Sequence, residues 1–177
     1  MNKSLKLATL TLAMIIATPT FAFNKAGTIP LTFAGGYDFF SSKRRVDNSG
    51  VGLAALGYNF TDHWGIEGLI GYFNTKSKYP ATYDENVKGS MYAVNGVYHF
   101  SPYRSLQPYV LAGPGIMGFN PNGTDANNEG NFNAAVGADL FFTDRVALRA
   151  EVRDFYTFTG GKNDVFVSGG VVFLFNT

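Results

Sequence analysis

The sequence predicts an all-β fold: an eight-stranded antiparallel up-and-down barrel that crosses a membrane through its strands. Three observations point there. Segments of roughly ten residues recur along the chain with apolar and polar or small residues alternating, as membrane strands require. The connections between them run long, short, long, short, long, short and medium. Aromatic residues gather near the segment ends, as they do in the girdles at the two faces of a bilayer.

Residues 1–22 are expected to be a cleaved signal peptide. Lys3 and Lys6 give a charged start, Leu7 to Ala17 is almost wholly apolar, and Thr20 and Ala22 put small residues before a cut after Ala22. The apolar run is shorter than the roughly 20 residues of a membrane-spanning helix. The barrel domain is then 23–177. Loss of two of the 14 basic residues leaves one fewer than the 13 acidic ones. That near-neutral balance, with few clustered basic residues, argues against nucleic acid as a partner. There are no cysteines, so no disulfide supports the fold. A closed barrel in lipid needs none, since every strand edge is paired. Mean hydropathy is +0.00, as expected where lipid-facing and lumen-facing residues alternate.

Segment one is Ile29 to Phe40, followed by the polar stretch Ser41 to Gly50. Segment two, Val51 to Phe60, is joined through Thr61-Asp62-His63 to segment three, Trp64 to Phe73. The polar stretch Asn74 to Lys88 separates this from segment four, Gly89 to Phe100, which ends at Ser101-Pro102. Segment five is Gln107 to Phe119, then comes Asn120 to Gly130, rich in Asn, Gly and Asp. Segment six, Asn131 to Phe142, turns at Thr143-Asp144 into segment seven, Arg145 to Phe158. Segment eight is Asp164 to Phe175. With a periplasmic N-terminus, the long connections fall outside the cell and the short ones inside. Tyr92, Val94, Gly96, Tyr98 and Phe100 share one face of segment four, and Leu148, Ala150 and Val152 share one face of segment seven. These faces, and Val167, Gly169, Val171, Phe173 and Phe175 in segment eight, are expected to meet lipid. The girdles are expected to contain Phe39, Phe40, Tyr58, Phe60, Trp64, Tyr72, Phe73, Tyr98, Phe100, Phe142 and Tyr156.

The same phase turns Glu67, Asp139, Arg149, Glu151 and Arg153 inward. Eight strands leave a narrow interior filled by side chains, so these charges must pair. Glu67 and Asp139 are expected to contact Arg149. The arrangement reads as a polar plug that fixes strand register, with a gate as the competing reading.

Here the chain resembles the transmembrane domain of the OmpA-type outer-membrane proteins. Gly65-Ile66-Glu67-Gly68-Leu69-Ile70-Gly71-Tyr72 resembles that family's third strand with its inward glutamate. Asp139 and Arg149, across the Thr143-Asp144 turn, resemble its inward acid and arginine on strands six and seven. Arg149-Ala150-Glu151-Val152 and Val171-Val172-Phe173-Leu174-Phe175 resemble its seventh and closing strands. The resemblance implies an ion-pair cluster interrupting the lumen. It also implies insertion by the barrel assembly machinery, which would read Phe175. Asn95 stands where the family has an inward lysine, so Arg153 is expected to supply the second cation. The family's peptidoglycan-binding domain has no counterpart in this sequence, so no cell-wall tether is expected.

His99-Phe100-Ser101 has the residue types of a histidine-activated serine, as in the small-barrel lipid A deacylases. It lies at the periplasmic end of segment four, beside Pro102, with no evident acid to orient the histidine, so an enzyme is not expected. Two isolated histidines and no cysteines offer no metal spacing, and Gly113-Pro114-Gly115 opens no helix. No catalytic, cofactor or metal site is expected. The expected role is structural or surface-interacting (adhesin-like) in the cell outer membrane, through extracellular loops. Lys43, Arg44 and Arg45 could meet lipopolysaccharide phosphates in the first loop, and long loops suit host or surface ligands. The alternatives are a small low-conductance pore, a lipid A-modifying barrel enzyme and a soluble lipocalin-like carrier. The carrier would need a polar outside, opposite to segment seven.

Overall fold

The computed structural model describes residues 23–78, 86–121 and 127–176, and the expected leader lies outside them. Eight strands form in chain order: β1 (Thr28–Phe39), β2 (Ser49–Asn59), β3 (Trp64–Lys76), β4 (Asn86–His99), β5 (Leu106–Pro121), β6 (Asn127–Phe141), β7 (Val146–Thr157) and β8 (Lys162–Asn176). Each pairs antiparallel with the next, and β1 pairs with β8 from Thr28↔Asn176 to Phe39↔Val165. The sheet is a closed barrel without a free edge. Among the described residues no helix is long and apolar enough to cross a membrane, which is no constraint on a protein that crosses with strands.

Period-two alternation decides what each strand shows. In β7, Leu148 and Val152 are 46% and 48% exposed, while Arg149 and Arg153 are 6% and 1% exposed. The outer surface is apolar and the charge is inside, the reverse of a water-soluble barrel. Large aromatics ring both ends of this surface, among them Phe39, Tyr72 and Tyr156 at one end and Phe60, Trp64 and Phe100 at the other.

Two parts of the sequence reading need correction. Phe40 and Phe73 are not girdle residues. They are buried, and with Phe119 they pack ring against ring inside the barrel, at centroid distances of 5.1, 5.3 and 5.9 Å. Their neighbours Phe39 and Tyr72 already occupy the outward phase, and adjacent residues of a strand cannot share a face. The second correction concerns the polar stretches. Both ends of Asn74 to Lys88 and of Asn120 to Gly130 are strand, because β3 and β4 extend to Lys76 and Asn86, and β5 and β6 to Pro121 and Asn127. The register Lys76↔Asn86 and Asn74↔Lys88 continues the ladder beyond Tyr72 and Tyr92.

The interior is packed at three levels. Phe40, Phe73, Phe119, Met91 and Met117 fill one side of the extracellular half. Charged groups cross the middle. At the periplasmic end, Phe23 meets Phe141 edge to face at 5.4 Å, within a cluster that includes Val172 and Leu174. The β4–β5 register passes from Ala93↔Gly115 to Gly96↔Ala112, skipping Val94 and Asn95. Pro114, which has no N–H to donate, lies opposite the gap. The Asn133 side chain compensates by donating to the Gly113 carbonyl at 2.8 Å.

Candidate functional site: two charged layers across the lumen

The middle layer is set by register. Asp139 and Arg149 are cross-strand partners, and Glu67 stands opposite Asn95 on the far wall. Arg149 spans the gap. Its Nε and Nη2 donate to the two oxygens of Asp139 at 2.8 and 3.0 Å, and Nη1 donates to Glu67 Oε2 at 2.9 Å. Its guanidinium also lies 4.4 Å from the centroid of the Tyr109 ring. Arg153 forms the second half. Nε donates to Glu151 Oε1 at 2.8 Å, Nη1 to Asn133 Oδ1 at 3.1 Å, and Nη2 lies 3.5 Å from Glu67 Oε1. The Tyr109 hydroxyl donates to the other Glu151 oxygen at 2.6 Å.

All five lumen charges expected from the sequence are therefore brought into one connected layer. Arg153 reaches Glu67, while Asn95 is fully buried opposite it with neither side-chain atom partnered. Charges taken from water persist only when paired and hydrogen-bonded, and here the ion pairs also tie β3, β6 and β7 together.

Beneath this layer the segment ahead of β1 packs into the barrel mouth. Asn24 donates through its backbone and side chain to Gln107 Oε1 and through its side chain to Asp139 Oδ2 at 3.2 Å. Asn59 donates to Asn24 Oδ1 and to Thr28 Oγ1.

The extracellular layer comes from the first loop. A short 3-10 turn, Ser42–Arg44, ends at Arg45 in a left-handed conformation with φ 57. This sends the three consecutive cations apart. Lys43 stays exposed, its Nζ donating to the carbonyls of Gly160 and Gly161. Arg45 is exposed on the surface. Arg44 turns into the lumen, with only 3% of its side chain exposed. Its Nη1 lies 2.7 Å from Glu129 Oε2, its Nη2 2.6 Å from Asp164 Oδ2, and Nη2 also donates to Thr157 Oγ1 at 2.6 Å. Lys162 Nζ adds a contact to Glu129 Oε1 at 2.5 Å. Burial disfavours the charge on Arg44, but hydrogen bonding and attraction from Asp164 and then Glu129 outweigh it and hold the guanidinium pKa above its ordinary value. As a lipopolysaccharide contact, Arg44 is corrected: a guanidinium held by two carboxylates inside the mouth does not face lipid phosphates.

Sequence reasoning missed Asp38, Glu129, Asp164 and Lys162. Parity was the available signal, since Asp164 shares its phase with buried Phe166, and Asp38 shares its phase with buried Thr32. The histidine–serine pair is separated: His99 is buried with its ring near Tyr109, while Ser101 is exposed past the strand end. Among the described residues no three His, Cys, Asp or Glu gather as a metal would require.

The family described as outer membrane protein beta-barrel domain matches residues 8–173. The chain belongs to this family. It is an eight-stranded outer-membrane β-barrel, located in the cell outer membrane. Solved structures share the fold. The N-terminal β-barrel domain of Pseudomonas aeruginosa OprF is 20% identical, with TM-score 0.61, over 85% of this chain and 98% of that one. Neisserial surface protein A is 16% identical, with TM-score 0.62, over 84% and 97%. Ail, the attachment invasion locus protein of Yersinia pestis, is 17% identical, with TM-score 0.55, over 85% and 99%. No curated protein matches the chain in sequence.

Proposed function

We propose that this barrel is a structural and surface-interacting protein whose exterior and loops do the work, while its lumen is plugged by the ion-pair layers. The observation that carries this reading is the continuity of the filling. Asn24 and Phe23 sit at one end, Arg149 and Arg153 with three carboxylates across the middle, and Arg44 with the three aromatic rings at the other. Solutes have no open path through such an interior. The chemistry of the lumen is pairing, not turnover, and supports a non-enzymatic role.

The partners we propose are outer-membrane lipid, lipopolysaccharide, the barrel assembly machinery and host or surface ligands. With Arg44 withdrawn, exposed cations above the aromatic girdle include Lys43, Arg45, Lys76, Lys78 and Lys88. Lys88 pairs across the ladder with Asn74, one step above Tyr72 and two above Tyr92, where lipopolysaccharide phosphates lie. Ail has been solved with the heparin analogue sucrose octasulfate, so a sulfated polyanion belongs beside lipopolysaccharide in the test. Changing Lys43, Arg45, Lys76 and Lys88 to alanine should weaken lipopolysaccharide binding and flatten its salt dependence. Unchanged affinity would discard this contact. The competing reading is a small pore, and steady conductance of the wild-type barrel in planar bilayers would favour it.

Residues 1–22 are proposed to be removed after export. In support, Phe23 and Asn24 already pack into the mouth of the barrel.

A further inference from the structure

We infer that the carboxylates at the extracellular end of the lumen form a binding site for a small organic cation bearing a guanidinium or primary ammonium group, with Arg44 as its tethered occupant. Asp38, Glu129 and Asp164 reach it from β1, β6 and β8. Around Arg44, Glu129 and Asp164 make a guanidinium cage. Two carboxylates take the guanidinium nitrogens, Thr157 accepts from Nη2, and the Phe119 ring lies 4.5 Å from Cζ. Paired acceptors plus an aromatic face are how proteins recognise planar organic cations.

The cage holds more acceptor capacity than Arg44 and Lys162 use. Asp38 is 0% exposed, and neither of its oxygens has a hydrogen-bond partner. It stands opposite Phe166 on β8, two residues along the strand from Asp164. Its cross-strand neighbour Ser49, also buried, has an unpartnered Oγ. A buried carboxylate without a donor is costly, and an added cation with several N–H groups relieves that cost.

An external cation would have to displace Arg44, which a single short turn carries into the mouth. Apart from the Arg44 side chain, the Ser42–Arg44 turn buries nothing, and it ends at Arg45 in a conformation disfavoured for a side-chain-bearing residue. Lifting the β1–β2 connection exposes the carboxylates to the outside, and an external cation takes the place of the guanidinium.

The chain has no cysteine, so Ser49→Cys places a unique thiol beside Asp38. The full chain, folded in phospholipid vesicles, is reacted with a cationic trimethylammonium-ethyl thiosulfonate and with its anionic sulfonatoethyl counterpart. The cationic reagent should react faster by about tenfold or more, as focusing by a charged cleft predicts. Ethylguanidinium should slow it, and Arg44→Ala should speed it. Equal rates for the two reagents, or indifference to ethylguanidinium, overturns the proposal. If Ser49→Cys does not fold, Arg44→Ala alone decides. Its heat-induced unfolding temperature should rise more in ethylguanidinium chloride than in tetramethylammonium chloride of equal ionic strength, and equal responses overturn it.

Discussion

Arg149 holds two carboxylates from opposite walls of the barrel, and both lie at 5% side-chain exposure or less. Charge taken this far from water is stabilised by its partners alone, so the cost of removing one partner is the cost of stranding the others. Arg149→Met should therefore lower stability by about 3–5 kcal/mol in urea unfolding from lipid vesicles. Adding Glu67→Gln and Asp139→Asn should recover most of that loss, because the stranded charges then disappear. A triple variant as unstable as the single one would show that the arginine acts through packing instead. These residues were legible in the sequence because strand phase alone turns Arg149, Glu151 and Arg153 to one side. Arg44 was not legible. Lys43, Arg44 and Arg45 are alike in composition, and which one enters the lumen depends on the turn Ser42–Arg44 and the left-handed Arg45. The acids awaiting it come from strands distant in sequence.

At the scale of the strand, the ladder brings Gly89 directly opposite Phe73, whose ring covers it on the way to Phe40 and Phe119. A Cβ at Gly89 would meet that ring, whereas one at Gly52, on the lipid face, would meet nothing within 4 Å. Gly89→Ala should therefore destabilise by about 1–3 kcal/mol through overpacking. Gly52→Ala should be neutral or gain up to about 1 kcal/mol by restricting the unfolded chain. Equal urea midpoints for the two variants would contradict the ring's placement. The same strands explain where sequence reading stopped short. Inside the bilayer, β3 and β4 alternate because one face meets lipid. Above Tyr72 and Tyr92 the outer face meets water, so Asn74, Lys76 and Lys88 on that face look like loop although the ladder continues. Phe73 was misplaced for a different reason. An aromatic at a strand end suggests a girdle, yet Tyr72 had already claimed the outward phase.

At the scale of the whole molecule, closure is what replaces a conventional core. The β1–β8 ladder leaves no edge, and the apolar exterior is stable only in lipid or detergent. A barrel closed in this way unfolds as a unit, so the extracted protein should migrate differently on SDS gels before and after boiling. Phe23 and Asn24 add to that unit from below. Asn24 is 1% exposed and links Gln107 on β5, Asp139 on β6 and Asn59 on β2. Removing its side chain leaves those buried groups short of partners, at a cost of about 1–3 kcal/mol. Asn24→Ala should keep the mobility shift but move it to a lower temperature, and the extracted chain should begin at Phe23. A variant shifting at the wild-type temperature would mean that the segment only rests against the mouth. A lowered temperature would make the plug part of the barrel's cooperative fold, formed by residues that lie next to the proposed cleavage point.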